Sequence, residues 1–215
     1  MKLDGIALYR QLRALTSPIV AITSSASGTR NGMIANSAQR ASLVPSLPRV
    51  SVYISKTNYT HELIYASGVF GMHLLPAGAW EIVRILGLRS GRDAPKLHVV
   101  SDARGAVAEP ALQGVLDAWV GETGCPLLTG VPLALECRVV NAMDAGAATF
   151  FLGDVLVAHS GAEERGILTS EQLRTEMPEP LRRAYEARLA VTQRELEPLA
   201  RTVSSRPWPG ATTDP

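Results

Sequence analysis

The sequence predicts a mainly β protein, an antiparallel barrel accompanied by helices, and three observations support this fold class. Several short apolar segments have strand-like patterns and are separated by turn residues. Few helical segments alternate with these strands, which disfavours a doubly wound parallel sheet. Only beyond Ser170 does a helical pattern extend over a long stretch, where apolar residues recur among many charges.

Composition supports a folded globular chain and excludes several classes of partner. The chain has 215 residues, of which 46% are hydrophobic and 19% are charged, a balance that can fill a sizeable core. Its net charge of +1 gives no overall attraction to nucleic acid or to an anionic membrane, so we expect neither partner. No apolar run is long enough for a membrane span, and the first residues do not resemble a signal peptide. Two cysteines are too few for a disulfide framework, and we expect a cytoplasmic location.

The spacing of apolar residues predicts the first helices and strands of the chain. Residues 1–15 fit a short amphipathic helix, and residues 19–22 fit a strand that enters a turn at 23–28. Residues 50–55 alternate with period two and predict a strand with one buried face. Thr60 is placed to cap the next element, a short helix at 61–66.

The later elements follow the same rules. They are a strand at 69–75, a helix at 78–86, strands at 133–140 and 150–158 joined by a turn at 143–148, and a helical segment beyond 170. We divide the chain into a barrel domain at 1–168, a C-terminal helical extension at 169–200 and a proline-rich tail at 201–215 that we expect to be disordered.

The common nucleotide and metal motifs do not occur in the sequence. It contains no GxGxxG after a strand, no GxxxxGK[ST], no HExxH, no CxxC and no GxSxG. No metal site is expected, because metal sites need convergent ligands and the histidines are scattered singly. These are His61, His73, His98 and His159. Catalytic residues are left unassigned, since no acid, base or nucleophile stands out.

A polar segment at residues 28–64 lies between strand-like apolar segments. Its hydroxyl groups could donate to phosphate oxygens, Lys56 could supply positive charge, and the helix beginning at Thr60 could add oriented N–H groups. The side chains of Asn36 and Ser37 can both donate and accept hydrogen bonds. From these residues alone both a ligand cradle and a structural turn remain open, and the turn is the simpler interpretation.

An ordered set of motifs extends from about residue 18 to residue 159. It comprises GMIANS at 32–37, SLVP at 42–45, NYT at 58–60, GVFGMHL at 68–74, SGRDAPKL at 90–97, PLLTGVPLALECRVV at 126–140 and FFLGDVLVA at 150–158. In this order they closely resemble the motifs of the flavin reductase-like proteins, which have the FMN-binding split-barrel fold. One such motif would be weak evidence, but the ordered set is specific.

The resemblance implies a homodimeric, Greek-key split barrel with one flavin per subunit near the dimer interface. The implied cofactor is FMN, with FAD as the alternative and NAD(P)H as co-substrate. Asn36 and Ser37 would contact the ring or the ribityl chain, and Lys56, Asn58 and Thr60 would hold the phosphate. The full set of expected cofactor-binding residues is Thr23, Ser24, Met33, Ile34, Ala35, Asn36, Ser37, Ser51, Lys56, Asn58 and Thr60.

The implied activity is hydride transfer from NAD(P)H to the flavin, which then reduces oxygen, free flavin, a ferric complex or a partner oxygenase. Two departures from the family pattern matter. Residues 146–148 are Gly-Ala-Ala where the family often has Gly-Asp-His, and Ile34 stands where Thr is common. The alternatives are therefore an FMN-binding electron carrier with little NAD(P)H activity, or a split barrel recruited for another small molecule. The extension is expected to pack against the barrel or the dimer mate, with a lid over the flavin as the alternative.

Overall fold

The computed structural model describes residues 18–102, 114–161 and 166–203. The helix predicted at 1–15 and most of the predicted tail lie outside these residues. The described strands are β1 Val20–Ala26, β2 Thr29–Ala35, β3 Gln39–Arg40, β4 Arg49–Ser55, β5 Val69–Leu74, β6 Leu97–Asp102, β7 Leu116–Val120, β8 Pro126–Leu128, β9 Leu133–Asp144 and β10 Ala148–Ser160. The described helices are α1 Tyr59–Ser67, α2 Trp80–Leu88, α3 Ser170–Thr175 and α4 Glu179–Leu196, which a 3-10 turn at Glu197–Leu199 follows.

Seven strands form one antiparallel sheet in the order β2-β1-β5-β9-β10-β4-β3. The segment after β2 returns to β4, because the Ser37 hydroxyl accepts a hydrogen bond from the Tyr53 amide (3.2 Å) and donates one to the Tyr53 carbonyl (2.9 Å). This contact brings opposite ends of the strand order together, so the sheet curls into a barrel. The mainly β fold predicted from the sequence is confirmed.

The barrel interior is filled by the alternating apolar residues of its strands. In β4, Val52 and Ile54 are fully buried, whereas Tyr53 between them is 43% exposed. Phe70 of β5 and Phe151 of β10 are also fully buried and belong to the same cluster. Period-two patterning thus places one face of each strand inside the barrel, as the sequence predicts.

A second apolar cluster lies between the barrel, α2 and a smaller sheet of order β6-β7-β8. In this smaller sheet β6 and β7 are parallel, a pairing that the sequence pattern does not predict. His73 joins the two sheets. Its ring Nδ1 donates to the Ala21 carbonyl (3.1 Å) and its Nε2 accepts from the Leu128 amide (3.1 Å). These bonds require the neutral ring.

The C-terminal segment leaves the barrel through a short helix, α3, and a longer one, α4. Residues 166–169 pair with the barrel, since the Ile19 amide donates to the Leu168 carbonyl (2.9 Å). Thr169 and Gln172 then form a capping box that begins α3. The longer α4 has no buried residue. None of the described helices is both long and apolar enough to cross a bilayer.

Three local predictions are corrected by the structure. Asn58, not Thr60, is the N-cap of α1, because the chain turns two residues earlier and Thr60 is fully buried. The helix predicted at 78–86 is displaced to α2, whose N-cap is Ala79. The turn predicted at 143–148 shortens to 145–147, because β9 and β10 extend toward each other and Gly146 adopts a φ of 76° that favours glycine.

Candidate functional site

A basic cavity of about 190 Å³ lies where β2, the start of α1, the end of α2 and one face of α4 meet. Its positively charged lining residues are Arg89, Arg92, Lys96 and Arg188. Among the described residues that line it there is no carboxylate. Arg92 pairs with Glu62, which lies outside the lining, but the other three charges have no acidic partner among the described residues, so the cavity attracts anions.

Lys96 is the most buried of these charges, with 3% of its surface exposed. Its ammonium group donates to the carbonyl of Gly32 in β2 (2.9 Å) and to the carbonyl of Leu86 in α2 (3.0 Å). Burial lowers the pKa of Lys96 to about 8, and the charges of Arg89 and Arg188 contribute to the same shift. The two carbonyl bonds hold the ammonium in the wall and favour its charged form against this shift.

Arg92 connects the segment after α2 to the beginning of α1 through side-chain contacts. Its guanidinium group donates to the Thr57 carbonyl (3.2 Å), pairs with Glu62 and stacks 4.9 Å from the centre of the Tyr59 ring. In this described region the Asn58 side chain makes no capping bond to the first turn of α1. The N–H groups of that turn therefore add to the positive potential of the cavity wall.

Asn31 of β2 supplies an acceptor in the same wall. Its amide nitrogen donates to the buried Thr60 hydroxyl (3.1 Å), while Oδ1 is buried without a hydrogen-bond partner among the described residues. Gly91 lies directly against this amide, and a Cβ at Gly91 would overlap the Asn31 side chain. The close approach explains why the SGR segment has glycine at this position. The buried Oδ1 matches a ligand that brings a hydroxyl donor.

The structure brings together part of the predicted cofactor-binding set. Met33, Ile34 and Asn58 line the basic cavity. Thr60 lies immediately behind the wall, bonded to Asn31. Asn36 is exposed and lines a smaller neighbouring hollow of about 90 Å³ together with Ile34.

Other predicted residues make hydrogen bonds, an ion pair or packing contacts within the barrel and do not line the basic cavity. The hydroxyl of Thr23 donates to the Pro126 carbonyl (2.5 Å), and that of Ser24 donates to the Val69 carbonyl (2.8 Å). Lys56 pairs with Asp144 (2.7 Å) and does not line the basic cavity. Three further residues are placed in the strands or their connections: Ala35 packs in the barrel core, Ser37 bonds to Tyr53, and Ser51 is 3% exposed in β4.

The predicted set does not include the basic residues of the cavity. The SGRDAPKL motif contains Arg92 and Lys96 and resembles a family motif, but the motif alone predicts no role for either residue. Arg89 precedes this motif by one residue. Arg188 occurs in a helix with many charges, so no sequence pattern distinguishes it. Their convergence depends on tertiary structure.

The remaining histidines and cysteines offer no second reactive centre in the described part of the chain. No group of three or more described His, Cys, Asp and Glu residues is close enough to hold a metal ion. Cys125 and Cys137 are buried and unpaired, and burial raises the pKa of the Cys125 thiol to about 12. Burial, followed by the charge of Lys56, lowers the pKa of His61 to about 4.

Comparison with known proteins decides the family. The family model described as the flavin reductase like domain matches residues 12–174. The chain belongs to the flavin reductase-like family. The match covers all the described strands and ends inside α3, so α4 lies beyond it.

Named relatives agree with this assignment. An NADH-dependent FAD reductase of Streptomyces globisporus is 28% identical over 78% of this chain and 82% of its own length. A ferric-chelate reductase (NAD(P)H) of Archaeoglobus fulgidus is 28% identical over 64% of this chain and 72% of its own length. The solved NADH:FAD oxidoreductase of Streptomyces globisporus superimposes with a TM-score of 0.60, at 25% identity over 79% of this chain and 86% of that chain.

These findings confirm the family, the split-barrel fold and the flavin reductase type of oxidoreductase expected from the sequence. The departure from the family pattern at residues 146–148 also has a structural counterpart. The β9–β10 hairpin packs closely against the segment that follows α4, since a Cβ at Gly146 would lie 2.6 Å from the Ala200 carbonyl oxygen.

Proposed function

We propose that this protein binds flavin mononucleotide with the phosphate in the basic cavity, and that NAD(P)H reduces the bound flavin. The observation that carries the proposal is the buried ammonium of Lys96, which shares its cavity with three guanidinium groups. Positive charges gathered around one cavity repel one another, so binding an anion there is favourable. A phosphate monoester carries a charge of about −1.5 to −2 at neutral pH, so it would neutralise much of the positive charge around the cavity.

The wall residues fit the phosphate end of a flavin. The cavity of about 190 Å³ is smaller than the roughly 300–1,000 Å³ of complete small-molecule sites, so it suits the phosphate and its chain rather than the whole molecule. The unpartnered Oδ1 of Asn31 is a suitable acceptor for a ribityl hydroxyl. Met33 and Ile34 offer apolar contacts to the rest of the ligand.

When bound, the flavin supplies the hydride acceptor and the redox chemistry. The residues of this chain bind and orient it. Lys96 and Arg89 neutralise the phosphate, and Arg92 keeps the SGR segment attached to the first turn of α1. In this scheme no side chain of the described cavity needs to act as an acid or a base.

A second candidate function is an electron carrier that holds flavin but reacts little with NAD(P)H. The observation that favours it is the hairpin at residues 146–148, which has no histidine and packs against the C-terminal segment. The relatives named as NADH-dependent FAD reductase and NAD(P)H ferric-chelate reductase favour the first candidate. They also suggest free flavin or a ferric chelate as the electron acceptor, and an oxygenase that consumes reduced flavin remains compatible with this.

The proposed assembly is a homodimer. Leu43, Val44 and Leu47 in the connection before β4 are 84%, 55% and 41% exposed. A largely apolar groove of about 470 Å³, which Met72 and Leu135 help to line, lies at one end of the barrel. A second copy would cover this apolar surface. Size-exclusion chromatography with light scattering tests the proposal, and a monomer at micromolar concentration would contradict it.

The proposed location is the cytoplasm, and the proposed domain division is the one drawn from the sequence. The unpaired thiols of Cys125 and Cys137 support a reducing compartment. The family match to residue 174 supports a barrel domain that ends near 168. The extension at 169–200 and the tail at 201–215 are proposed from the sequence pattern.

Anaerobic stopped-flow mixing of the FMN-loaded protein with NADH and NADPH tests the proposed reaction. Loss of the flavin absorbance with either donor supports the reductase. Retained flavin that neither donor bleaches would assign the electron-carrier function instead. A purified protein that stays colourless and ignores added FMN would contradict both, and would indicate that the barrel serves another small molecule.

A further inference from the structure

One face of α4 forms a wall of the basic cavity. Tyr185, Arg188, Leu189 and Thr192 line it, and their spacing of three, four and seven positions places them on one side of the helix. The family match ends at residue 174, so this wall is an addition to the part of the chain that matches the family.

The face of α4 that lines the cavity is not fully buried. Tyr185, Leu189 and Thr192 are only partly buried, although they are on the face turned toward the barrel. A helix that packs on a filled core would bury such a face. Here the cavity lies beneath the helix, so the same face remains partly accessible.

Both ends of α4 are attached to the barrel domain. At the first end, Leu181 and Tyr185 pack against the outer apolar cluster, which includes Leu173 and Met177. At the other end, the carbonyl groups of residues 199–200 lie against Gly146 in the β9–β10 hairpin. The helix therefore spans the cavity and is held in place near both of its ends.

We propose that α4 closes over the phosphate of the bound flavin and that Arg188 binds this phosphate from the side opposite Lys96. Arg188 is exposed to solvent and also lines the cavity, whereas Arg183 of the same helix does not line it and pairs with Glu179 (2.8 Å). Tyr185 and Thr192 flank Arg188 and complete the wall. This inference rests on the proposed function, because it assigns the extension to the same site.

The test compares FMN with riboflavin, which lacks the phosphate, by equilibrium titration of the full chain. Arg188→Ala should weaken FMN binding about tenfold, as expected for the loss of a charged hydrogen bond, and leave riboflavin binding unchanged. Arg194→Ala is the matched control, because Arg194 lies on the same helix, is exposed and donates to the Ala190 carbonyl (3.2 Å). Arg188→Lys should retain part of the affinity.

The outcomes separate the two proposals. If the unaltered protein binds neither flavin, the proposed function fails. If it binds FMN and Arg188→Ala binds FMN equally well, only the role of α4 fails.

A second measurement uses limited digestion of the full chain with trypsin. Under the proposal, FMN slows cleavage within α4, and riboflavin does not. Cleavage at the same rate with and without FMN would overturn the closure of α4.

Discussion

The ammonium nitrogen of Lys96 lies 2.9 Å from the carbonyl oxygen of Gly32. This bond joins the SGRDAPKL segment to the GMIANS segment across 64 positions of sequence. Its partner bond to Leu86 places the same ammonium against the end of α2. One buried lysine thus fixes the relative position of three walls of the basic cavity, and its remaining donor is available to a ligand.

Replacement of Lys96 by Met should weaken FMN binding by at least about tenfold, because a buried charged contact to the phosphate is lost. Lys56→Met is the matched control, since Lys56 pairs with Asp144 outside the cavity. Fluorescence titration with FMN measures the dissociation constants of both variants. A larger loss for Lys56→Met than for Lys96→Met would contradict the assignment of the cavity.

Replacement of Gly91 by Ala should reduce both stability and FMN affinity. The added Cβ overlaps the Asn31 amide, which is buried and held by Thr60 and so has little room to move. We expect a loss of about 1–3 kcal/mol in the free energy of unfolding. Gly87→Ala is the control, because a Cβ there makes an ordinary 3.6 Å contact with Ile34. Urea denaturation of the two variants measures the difference in their free energies of unfolding. Equal stabilities would argue against the close contact between Gly91 and the Asn31 side chain.

The affinity for FMN should fall as the pH rises through about 8. Lys96 has a pKa of about 8 in the free protein, and it attracts the phosphate only when protonated. Arg89, Arg92 and Arg188 keep their charge throughout this range. Below about pH 6 the phosphate loses its second negative charge and the affinity should fall again. Titrations from pH 5 to 9 test this, with Lys96→Met expected to lack the alkaline decline. A constant affinity between pH 7 and 9 would refute it.

The free energy of unfolding should decrease as the pH falls from about 6.5 toward 4. Burial lowers the pKa of His73 to about 4, so below 6.5 the unfolded chain binds a proton that the folded chain excludes. The neutral His73 ring makes its full contribution to the free energy of unfolding above pH 6.5. At pH 4 this contribution is smaller by about 3 kcal/mol. Urea denaturation at pH 7 and pH 5 measures the change. His73→Asn should show a shallower dependence, and a pH-independent stability of the unaltered protein would be inconsistent with this account.

The sequence predicts the barrel well where side chains alternate regularly. The burial of Val52 and Ile54 on either side of Tyr53 follows from period-two patterning alone. Helix starts are predicted less well, because Thr60 resembles a cap in sequence while its hydroxyl is used inside the fold by Asn31. Local pattern cannot reveal which hydroxyl a distant residue will bind.

The candidate site is predicted only in part for a similar reason. Lys56 precedes the NYT motif, so proximity in sequence suggests that it holds the phosphate. In the fold, the end of β4 pairs with β10, which carries Lys56 to Asp144. Lys96 and Arg188 come from remote segments, and their convergence depends on how α2 and α4 pack on the barrel. Long-range packing of this kind leaves no trace in residue spacing.

The most direct measurement is a crystal structure of the protein with FMN. We predict that the phosphate lies in the basic cavity, within hydrogen-bond distance of the Lys96 ammonium and beneath α4. A phosphate bound beside Lys56 and Asp144, or a flavin that leaves the cavity of Lys96 empty, would contradict it.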